Sequence, residues 1–228
     1  MLLAIDTSND YAGIAIRDER GLLGEAGWHA GRQHTEQVLP QIDLLFRHLH
    51  ISPAELDVIA VATGPGSWSG LRAGMSLAKA LALGRGLPII GIPTLDALAQ
   101  SQRGRLGPVV ALIRLGRNRF GAAVYTTDER VERTTPFLTV SAEAASRLAE
   151  RPLLIGDIPS SVIEPASGRL AATVDLQRRA PWVAELAWGR HQAGHYDDLI
   201  ALEPIYLASP VRSQGSGGDD RGGLRDNS

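Results

Sequence analysis

A short run of carboxylate and hydroxyl side chains follows the first apolar segment of the chain. In "LLAIDTS" the segment 2–6 is typical of a buried strand, and Asp6, Thr7 and Ser8 stand at its end. A carboxylate there can hold a magnesium ion, and the hydroxyls and amides of a tight turn can bind a phosphate. The same residues can also cap the turn without any ligand. A nucleotide contact and a structural turn are therefore both open.

A glycine-rich loop, "GPGSWSGLRAGMSLAKALALG" at residues 64–84, leads straight into a long predicted helix. Its glycines permit backbone angles closed to other residues, and the helix N-terminus after Ser67 offers amides to an anion. The loop has no lysine, so it is not a Walker-type phosphate loop. It is either a structural strand-to-helix turn or the remnant of a phosphate site. The candidate nucleotide contacts are Asp6, Thr7, Ser8, Gly64, Gly66 and Ser67.

Small residues recur at every fourth position of that helix. Gly70, Gly74, Ala78 and Ala82 form a row of minimal side chains along one face, which lets another helix approach closely. That helix could be the chain's own predicted helix 34–49 or a helix of a partner. Because the helix 69–84 is apolar over most of its circumference, we predict a partner interface on these two helices. The predicted interface residues are His34, Val38, Gln41, Leu45, Gly70, Gly74, Met75 and Ala78.

No other group of residues predicts an active site. His191 and His195 have the spacing of two metal ligands, but no acidic residue lies between them, and Gly194 is expected to end the helix first. Ser67 and Ser69 have no identifiable base, and the chain has no cysteine. We therefore expect no catalytic residue, no metal site and no cofactor of its own.

The elements that carry these motifs are typical of an α/β protein. Three meandering strands precede the order helix, strand, helix, strand, helix, which is the RNase H-like layout of the actin and sugar-kinase (ASKHA) superfamily. "VVALIRLGRNRFGAAVY" can be laid on "MLLAIDTSNDYAGIAIR" without a gap, which indicates a second, degenerate lobe of the same kind. We predict an N-terminal lobe at 1–106, a C-terminal lobe at 107–208 and a disordered tail at 209–228.

The gap-free superposition of the two lobes places Arg114 at the position of Asp6. ASKHA proteins that hydrolyse nucleotides offer an acidic residue there in each lobe, so that two carboxylates face each other around a magnesium ion. A guanidinium cannot coordinate magnesium. Half of the metal-holding pair is therefore expected to be missing.

Composition and charge exclude several classes of function. The 228 residues carry a net charge of −2 with a pI near 6.3, which gives no basic surface for nucleic acid. We therefore expect RNA to be reached only through a partner. The N-terminus has no signal-peptide pattern, and no apolar run is long enough to span a membrane. These observations favour a soluble, cytoplasmic protein.

Four segments in this order carry a family resemblance: "LAIDTS", "RQHTEQVLP", "GPGSWSGLRAGMSLAKALALG" and "LEPIYL". Together they resemble the bacterial TsaB (YeaZ) family, whose signature is usually written GPGSFTGLR. The match is strong over about residues 2 to 102 and loose as far as 208. The second lobe departs from the family, because "IRLGRNR" stands where an Asp-Ala-Arg-like turn is common.

The resemblance implies a noncatalytic subunit for making N6-threonylcarbamoyladenosine, the modified base beside the tRNA anticodon. It further implies a heterodimer with the paralogue TsaD, formed through the helices that contain His34 to Leu49 and Gly70 to Leu83, or a homodimer through the same face. ATP and metal are expected on the partner subunits, which include the ATPase TsaE. Two alternatives remain: an ATP-dependent small-molecule kinase of the same fold, and a glycopeptidase, for which no zinc motif or nucleophile–base pair is present.

Overall fold

The computed structural model describes residues 1–31, 33–116, 118–145, 147–158 and 179–207. The strands are β1 (Leu2–Asp6), β2 (Tyr11–Asp18), β3 (Gly21–His29), β4 (Val58–Gly64), β5 (Ile89–Pro93), β6 (Arg105–Gly116), β7 (Arg119–Thr127), β8 (Glu132–Arg133), β9 (Leu138–Val140) and β10 (Leu153–Gly156). The helices are α1 (His34–Leu49), α2 (Trp68–Arg85), α3 (Thr94–Gln100), α4 (Ala142–Ala145) and α5 (Ala180–Gln192). The predicted tail at 209–228 lies outside the described residues.

The first sheet has the strand order β3-β2-β1-β4-β5. β1, β2 and β3 form an antiparallel meander, and β4 and β5 run parallel to β1. β1 and β4 are buried along their whole length, as expected for strands covered on both faces. The predicted RNase H-like arrangement of the first lobe is therefore confirmed.

Helices α1 and α2 cover one face of the first sheet. The apolar side chains of α1 that repeat at helical spacing, among them Val38, Ile42 and Phe46, pack against strand residues such as Ile5 and Ile14. Pro40 lies inside α1 on its exposed side, so it does not open the helix. α2 begins after Ser67, whose hydroxyl caps the first turn, and ends at Gly86 in the left-handed conformation.

The second sheet has the order β10-β6-β7-β8, with β9 also paired to β7. β6 and β7 form an antiparallel hairpin and β10 runs parallel to β6, which repeats the pairing of β1, β2 and β4. In the described part of the chain, the segment between β9 and β10 contains only the short helix α4. The fold is a two-lobed α/β structure whose second lobe is reduced, as predicted.

The helices do not follow the predicted division at residue 106. α3, from the N-terminal half, packs its Leu95 and Leu98 on the second sheet. α5, from the C-terminal half, packs Val183 and Ala187 on the free face of the first sheet. Each sheet is thus completed by a helix from the other half of the chain, because the two helices lie side by side between the sheets.

An extended segment at 202–207 also ties the two lobes together. The amide of Ile205 donates to the carbonyl of Thr63 at 2.7 Å, next to the end of β4. A Cβ built on Gly91 would meet Leu202, and one built on Gly121 in the second sheet would meet Leu207 at 3.3 Å. We call residues 202–207 the strap. None of the described helices has the length and apolar composition of a membrane span.

Candidate functional site

The two lobes face each other across a cleft of about 750 Å³. Turns that follow β1 and β10, the glycine loop and the β6–β7 hairpin all reach this cleft. Side chains on its wall that could bind a ligand include Asn9, Asp10, Ser67, Trp68, Arg114 and Asp157. The site is in the place where the sequence motifs predicted a nucleotide, but several predicted contacts are not free to bind one.

Asp6 is buried and its carboxylate is fully engaged by the protein itself. Its Oδ1 accepts hydrogen bonds from the amide and hydroxyl of Ser8 at 2.8 and 2.6 Å. Its Oδ2 accepts from Nε of Arg179 at 2.7 Å, and both partners of this ion pair are almost completely buried. The prediction that Asp6 and Ser8 contact a phosphate or nucleotide therefore disagrees with this structure, in which their polar atoms bond to each other.

Thr7 is buried in the same turn and is also occupied. Its hydroxyl donates to the carbonyl of Gly70 at 2.7 Å, which fixes the turn to the first turn of α2. The structural alternative, a capped turn at the end of β1, thus describes residues 6 to 8 better than a phosphate contact does.

Arg179 is the site residue that sequence reasoning missed. It lies directly before α5, far from Asp6 in the sequence, and its Nη2 donates to Oδ1 of Asn9. The only local signal was an arginine next to a helix that begins with the apolar segment "APWVAELA". Such a position normally holds an exposed side chain. This arginine is buried because the fold brings the start of α5 against the turn after β1, and no local pattern encodes that contact.

A second carboxylate does reach the cleft, but from an unexpected strand. Asp157, just beyond β10, accepts from Nδ2 of Asn9 at 3.1 Å and from the backbone amide of Arg114 at 2.9 Å. Asn9 therefore bridges Arg179 on one side and Asp157 on the other. In the part of the chain that the structure describes, no group of three or more acidic or histidine side chains could hold a metal ion.

The strand register corrects the superposition of the two lobes. Gly13 pairs with Asp6 in the first hairpin, whereas Gly121 pairs with Ile113 in the second. If the two glycines correspond, the residue in the place of Asp6 is Ile113, and Arg114 lies one position further along. The inference that the second lobe lacks the matching carboxylate holds for either residue.

The glycine loop is packed against the turn that follows β1. A Cβ on Gly66 would lie 2.2 Å from the carbonyl oxygen of Ser8, and one on Gly70 would lie 2.1 Å from that of Thr7. The amide of Ser67 donates to the Ser8 carbonyl at 2.6 Å. Gly64 has a φ of 101°, a conformation that favours glycine. These glycines therefore allow two backbone segments to approach, and the space beside Gly66 and Gly70 holds protein rather than phosphate.

The row of small residues on α2 lies inside the lobe, which corrects its assignment to a partner interface. Gly70 and Gly74 face Thr7, and a Cβ on Gly74 would lie 2.2 Å from its hydroxyl oxygen. Ala78 and Ala82 have no exposed surface. Of the other predicted interface residues, His34, Val38, Leu45 and Met75 are buried and Gln41 is half-buried. The buried residues among them pack their own lobe and have little surface left for a partner.

His34 is buried under the first turn of α2. Burial lowers its pKa from the ordinary value, although the nearby carboxylates of Asp10 and Asp6 act in the opposite direction. Its Nδ1 has no hydrogen-bond partner within the described part of the chain. His34 is therefore held as a neutral packing residue at neutral pH.

Other side chains of α1 and α2 do present an apolar surface. Leu39, Leu44 and Leu83 are 49%, 59% and 72% exposed. Leu39 also borders an apolar groove of about 270 Å³ between the two helices, together with Phe46 and Leu81. The two helices thus expose leucines that are not among the predicted interface residues.

The fold and the cleft define a two-lobed protein of the ASKHA type in which the first-strand carboxylate is paired with an internal arginine. The family model described as TsaD: tRNA N6-adenosine threonylcarbamoyltransferase matches residues 27–151, which is more than half of the chain. The chain belongs to this family, and its motifs resemble the TsaB (YeaZ) group.

Individual relatives agree with this assignment. The chain is 36% identical over 111 residues to the "tRNA threonylcarbamoyladenosine biosynthesis protein TsaB" of Bacillus subtilis, over 47% of this chain and 48% of that protein. It is 38% identical over 112 residues to the tRNA N6-adenosine threonylcarbamoyltransferase of Nitratidesulfovibrio vulgaris (strain DP4), over 42% and 31%. The matched region thus spans about half or less of these relatives.

A solved structure extends the likeness of fold to most of the chain. The structure named YeaZ from Pseudomonas aeruginosa superposes with a TM-score of 0.75 at 20% identity and covers 90% of this chain and 99% of that one. The likeness of fold therefore extends beyond the strongly matched first lobe into the second.

Proposed function

We propose that this chain is a noncatalytic subunit of the system that makes N6-threonylcarbamoyladenosine in tRNA, and that it binds and activates a TsaD-type catalytic subunit in the cytoplasm. The observation that carries the noncatalytic part is the buried ion pair between Asp6 and Arg179. A carboxylate that is desolvated and already paired with an arginine has no free oxygen to offer a metal ion. The names of the relatives supply the pathway.

The exposed leucines of α1 and α2 support the binding of a partner. Leu39, Leu44 and Leu83 stand on two adjacent helices with an apolar groove between them, and such surfaces are typical of helix–helix association. A catalytic paralogue with the same fold would present an equivalent helix pair, so that four helices would pack together. A second copy of this chain could use the same surface when the paralogue is scarce.

The net charge of −2 supports the proposal that other subunits bind the tRNA. Nucleic-acid affinity rests largely on contacts between basic side chains and phosphates, which a slightly acidic protein makes poorly. In this proposal ATP and metal ions are bound by TsaD and by the ATPase TsaE, and this chain contributes surface and shape.

Reconstitution with the TsaD-type and TsaE-type subunits of the same organism tests the proposal. The measured quantities are complex formation by analytical ultracentrifugation and threonylcarbamoylation of tRNA by mass spectrometry. Leu83→Asp should weaken the complex about tenfold or more, because a buried charge replaces an apolar contact. Leu106→Asp, at a leucine on β6 that is even more exposed, is the matched control and should leave the complex unchanged.

The same preparation separates the proposal from a small-molecule kinase. The isolated chain should hydrolyse no ATP above background and should bind tRNA no better than an unrelated acidic protein. Hydrolysis that is lost in Asp6→Asn would favour the kinase. Equal complexes for Leu83→Asp and Leu106→Asp would remove the helix pair as the interface.

A further inference from the structure

A second pocket, of about 350 Å³, lies between the lobes and away from the cleft. We call it the back pocket. The first lobe contributes Ile92 and Asp96, the second lobe contributes Tyr125 and Arg133, and α5 contributes Leu186. Tyr125 pairs with Val109 near the start of β6, whereas the cleft begins at Arg114 near the end of that strand. The two sites are therefore separated along the length of β6.

Arg133 has a guanidinium group with unused hydrogen-bonding capacity. Its Nη1 lies 3.7 Å from Oδ1 of Asp96, which is close enough for electrostatic attraction but too far for a hydrogen bond. The guanidinium stacks on Phe137, 3.9 Å from the ring centroid, and this contact fixes its plane. No hydrogen bond from this guanidinium is made to any described residue.

Asp96 is half satisfied. Its Oδ1 accepts a hydrogen bond from the buried hydroxyl of Tyr125 at 2.7 Å, and its Oδ2 accepts none from the described residues. Burial raises the pKa of Asp96, so the ionised form lacks full compensation in the protein alone. A cationic group of a ligand beside Oδ2 would supply it.

The other arginine at this pocket is already used. Arg190 donates to the carbonyl of Gly91 at 3.0 Å and to Oδ1 of Asp197 at 2.9 Å. These bonds join α5 to β5 and to the loop that follows α5. Of the charged side chains that line this pocket, Arg133 and Asp96 thus have hydrogen-bonding capacity that the described residues leave unused. The two lie side by side. Ile92, Val131 and Leu186 give the rest of the wall an apolar character.

We propose that the back pocket binds a free α-amino acid with an apolar side chain. The carboxylate of the ligand accepts hydrogen bonds from the guanidinium of Arg133, its ammonium group donates to Oδ2 of Asp96, and its side chain lies against Ile92, Val131 and Leu186. The carboxylate of Asp96 and the guanidinium of Arg133 lie close enough to contact the ammonium and carboxylate groups of one amino acid. A simple anion would use only Arg133. The volume is at the small end of ligand sites, which suits a single amino acid.

Titration of the full chain with L-leucine, followed by NMR of its methyl groups and arginine side chains, tests this inference. We expect saturable shifts at Val131, Leu186 and Arg133. Leucinamide, which lacks the carboxylate, and 4-methylpentanoate, which lacks the ammonium group, should each bind about tenfold more weakly or worse, because each loses charge-assisted hydrogen bonds.

Two variants and a control make the test specific. Arg133→Gln should weaken leucine binding about tenfold or more, whereas Arg130→Gln, at an exposed arginine on the neighbouring turn, should not change it. Asp96→Asn keeps an acceptor for Tyr125 but removes the charge, so it should bind 4-methylpentanoate at least as well as leucine. The absence of saturable shifts, equal binding of the three ligands, or equal binding by Arg133→Gln and the wild type would each overturn the proposal.

Discussion

At the scale of single residues, the decisive feature is an arginine that lies beside Asp6, where a bound metal ion could otherwise balance the carboxylate. Arg179 balances the charge of this carboxylate from within the protein. A buried charge that loses its partner is strongly destabilising, because no water replaces the lost interaction.

Replacement of Arg179 by Met should therefore lower the free energy of unfolding by about 3–5 kcal/mol. Arg20→Met is the matched control, since Arg20 also lies 2.7 Å from its carboxylate, Asp18, but on the exposed surface, and it should have no measurable effect. Asp6→Asn combined with Arg179→Met should recover part of the loss. Urea denaturation measures all four proteins, including the wild type. Equal losses at Arg179 and Arg20 would show that burial of the pair is unimportant.

His34 predicts a pH dependence of stability. Because burial lowers the pKa of His34 below its ordinary value of 6.5, the unfolded chain binds a proton more readily than the folded chain. Its contribution to stability is complete above about pH 6.5 and is lost as the pH falls from there towards the lowered pKa.

Urea denaturation between pH 8 and pH 5 measures this effect. The loss of stability on acidification should be smaller in His34→Gln than in the wild type, whereas His48→Gln, on the exposed side of the same helix, should behave as the wild type does. The same slope in all three proteins would contradict the assignment.

At the scale of elements, α2 shows how one helix uses glycine in opposite ways. Gly70 lies where a Cβ would collide with the backbone of Thr7, but Gly84 has nothing within 4 Å of the place where a Cβ would stand. The backbone at residue 7 cannot move away easily, because the Thr7 hydroxyl is bonded to α2.

Gly70→Ala should consequently destabilise the protein by more than about 1 kcal/mol, whereas Gly84→Ala should stabilise it by up to about 1 kcal/mol through helix propensity. Thermal unfolding by calorimetry compares the two variants with the wild type. Because Gly74 also faces Thr7, Gly74→Leu is expected to lower the melting temperature rather than to act on a partner. Opposite signs at Gly70 and Gly84 are the required result.

The sequence predicted these elements well where a repeating pattern was present. The periodicity of α1, the cap at Ser67 and the buried runs of β1 and β4 depend on neighbouring residues, and a linear pattern contains that information. The direction in which the small row of α2 faces depends on the distant turn at Thr7, and no local pattern encodes it. The same holds for Arg179 and Asp157, which meet Asn9 from remote parts of the chain.

At the scale of the whole molecule, the strap connects the sheets of both lobes. Its contacts join Thr63 and Gly91 in the first sheet to Gly121 in the second. These contacts place the half-buried Leu202 and Leu207 against the glycine positions Gly91 and Gly121, so the loss of either leucine would leave a gap there.

A chain that ends after Ala201 should melt at a lower temperature than a chain that ends after Leu207, by several degrees. The longer truncation serves as the reference, so the comparison isolates the strap itself. Calorimetry gives the melting temperature, and amide hydrogen exchange at Thr63 and its neighbours locates the change. Identical melting of the two truncated chains would mean that the strap adds no stability.

The exchange of α3 and α5 between the two halves has a consequence for how the chain is made. Ribosomes deliver the first sheet early, but the helix that covers its second face is synthesised last among the described elements. Until α5 emerges, the apolar side chains of Leu2, Ala60 and Ile90 lack the helix that packs against them in the folded protein. The nascent N-terminal half is therefore a natural client for chaperones, and the first lobe cannot complete its core until α5 has been made.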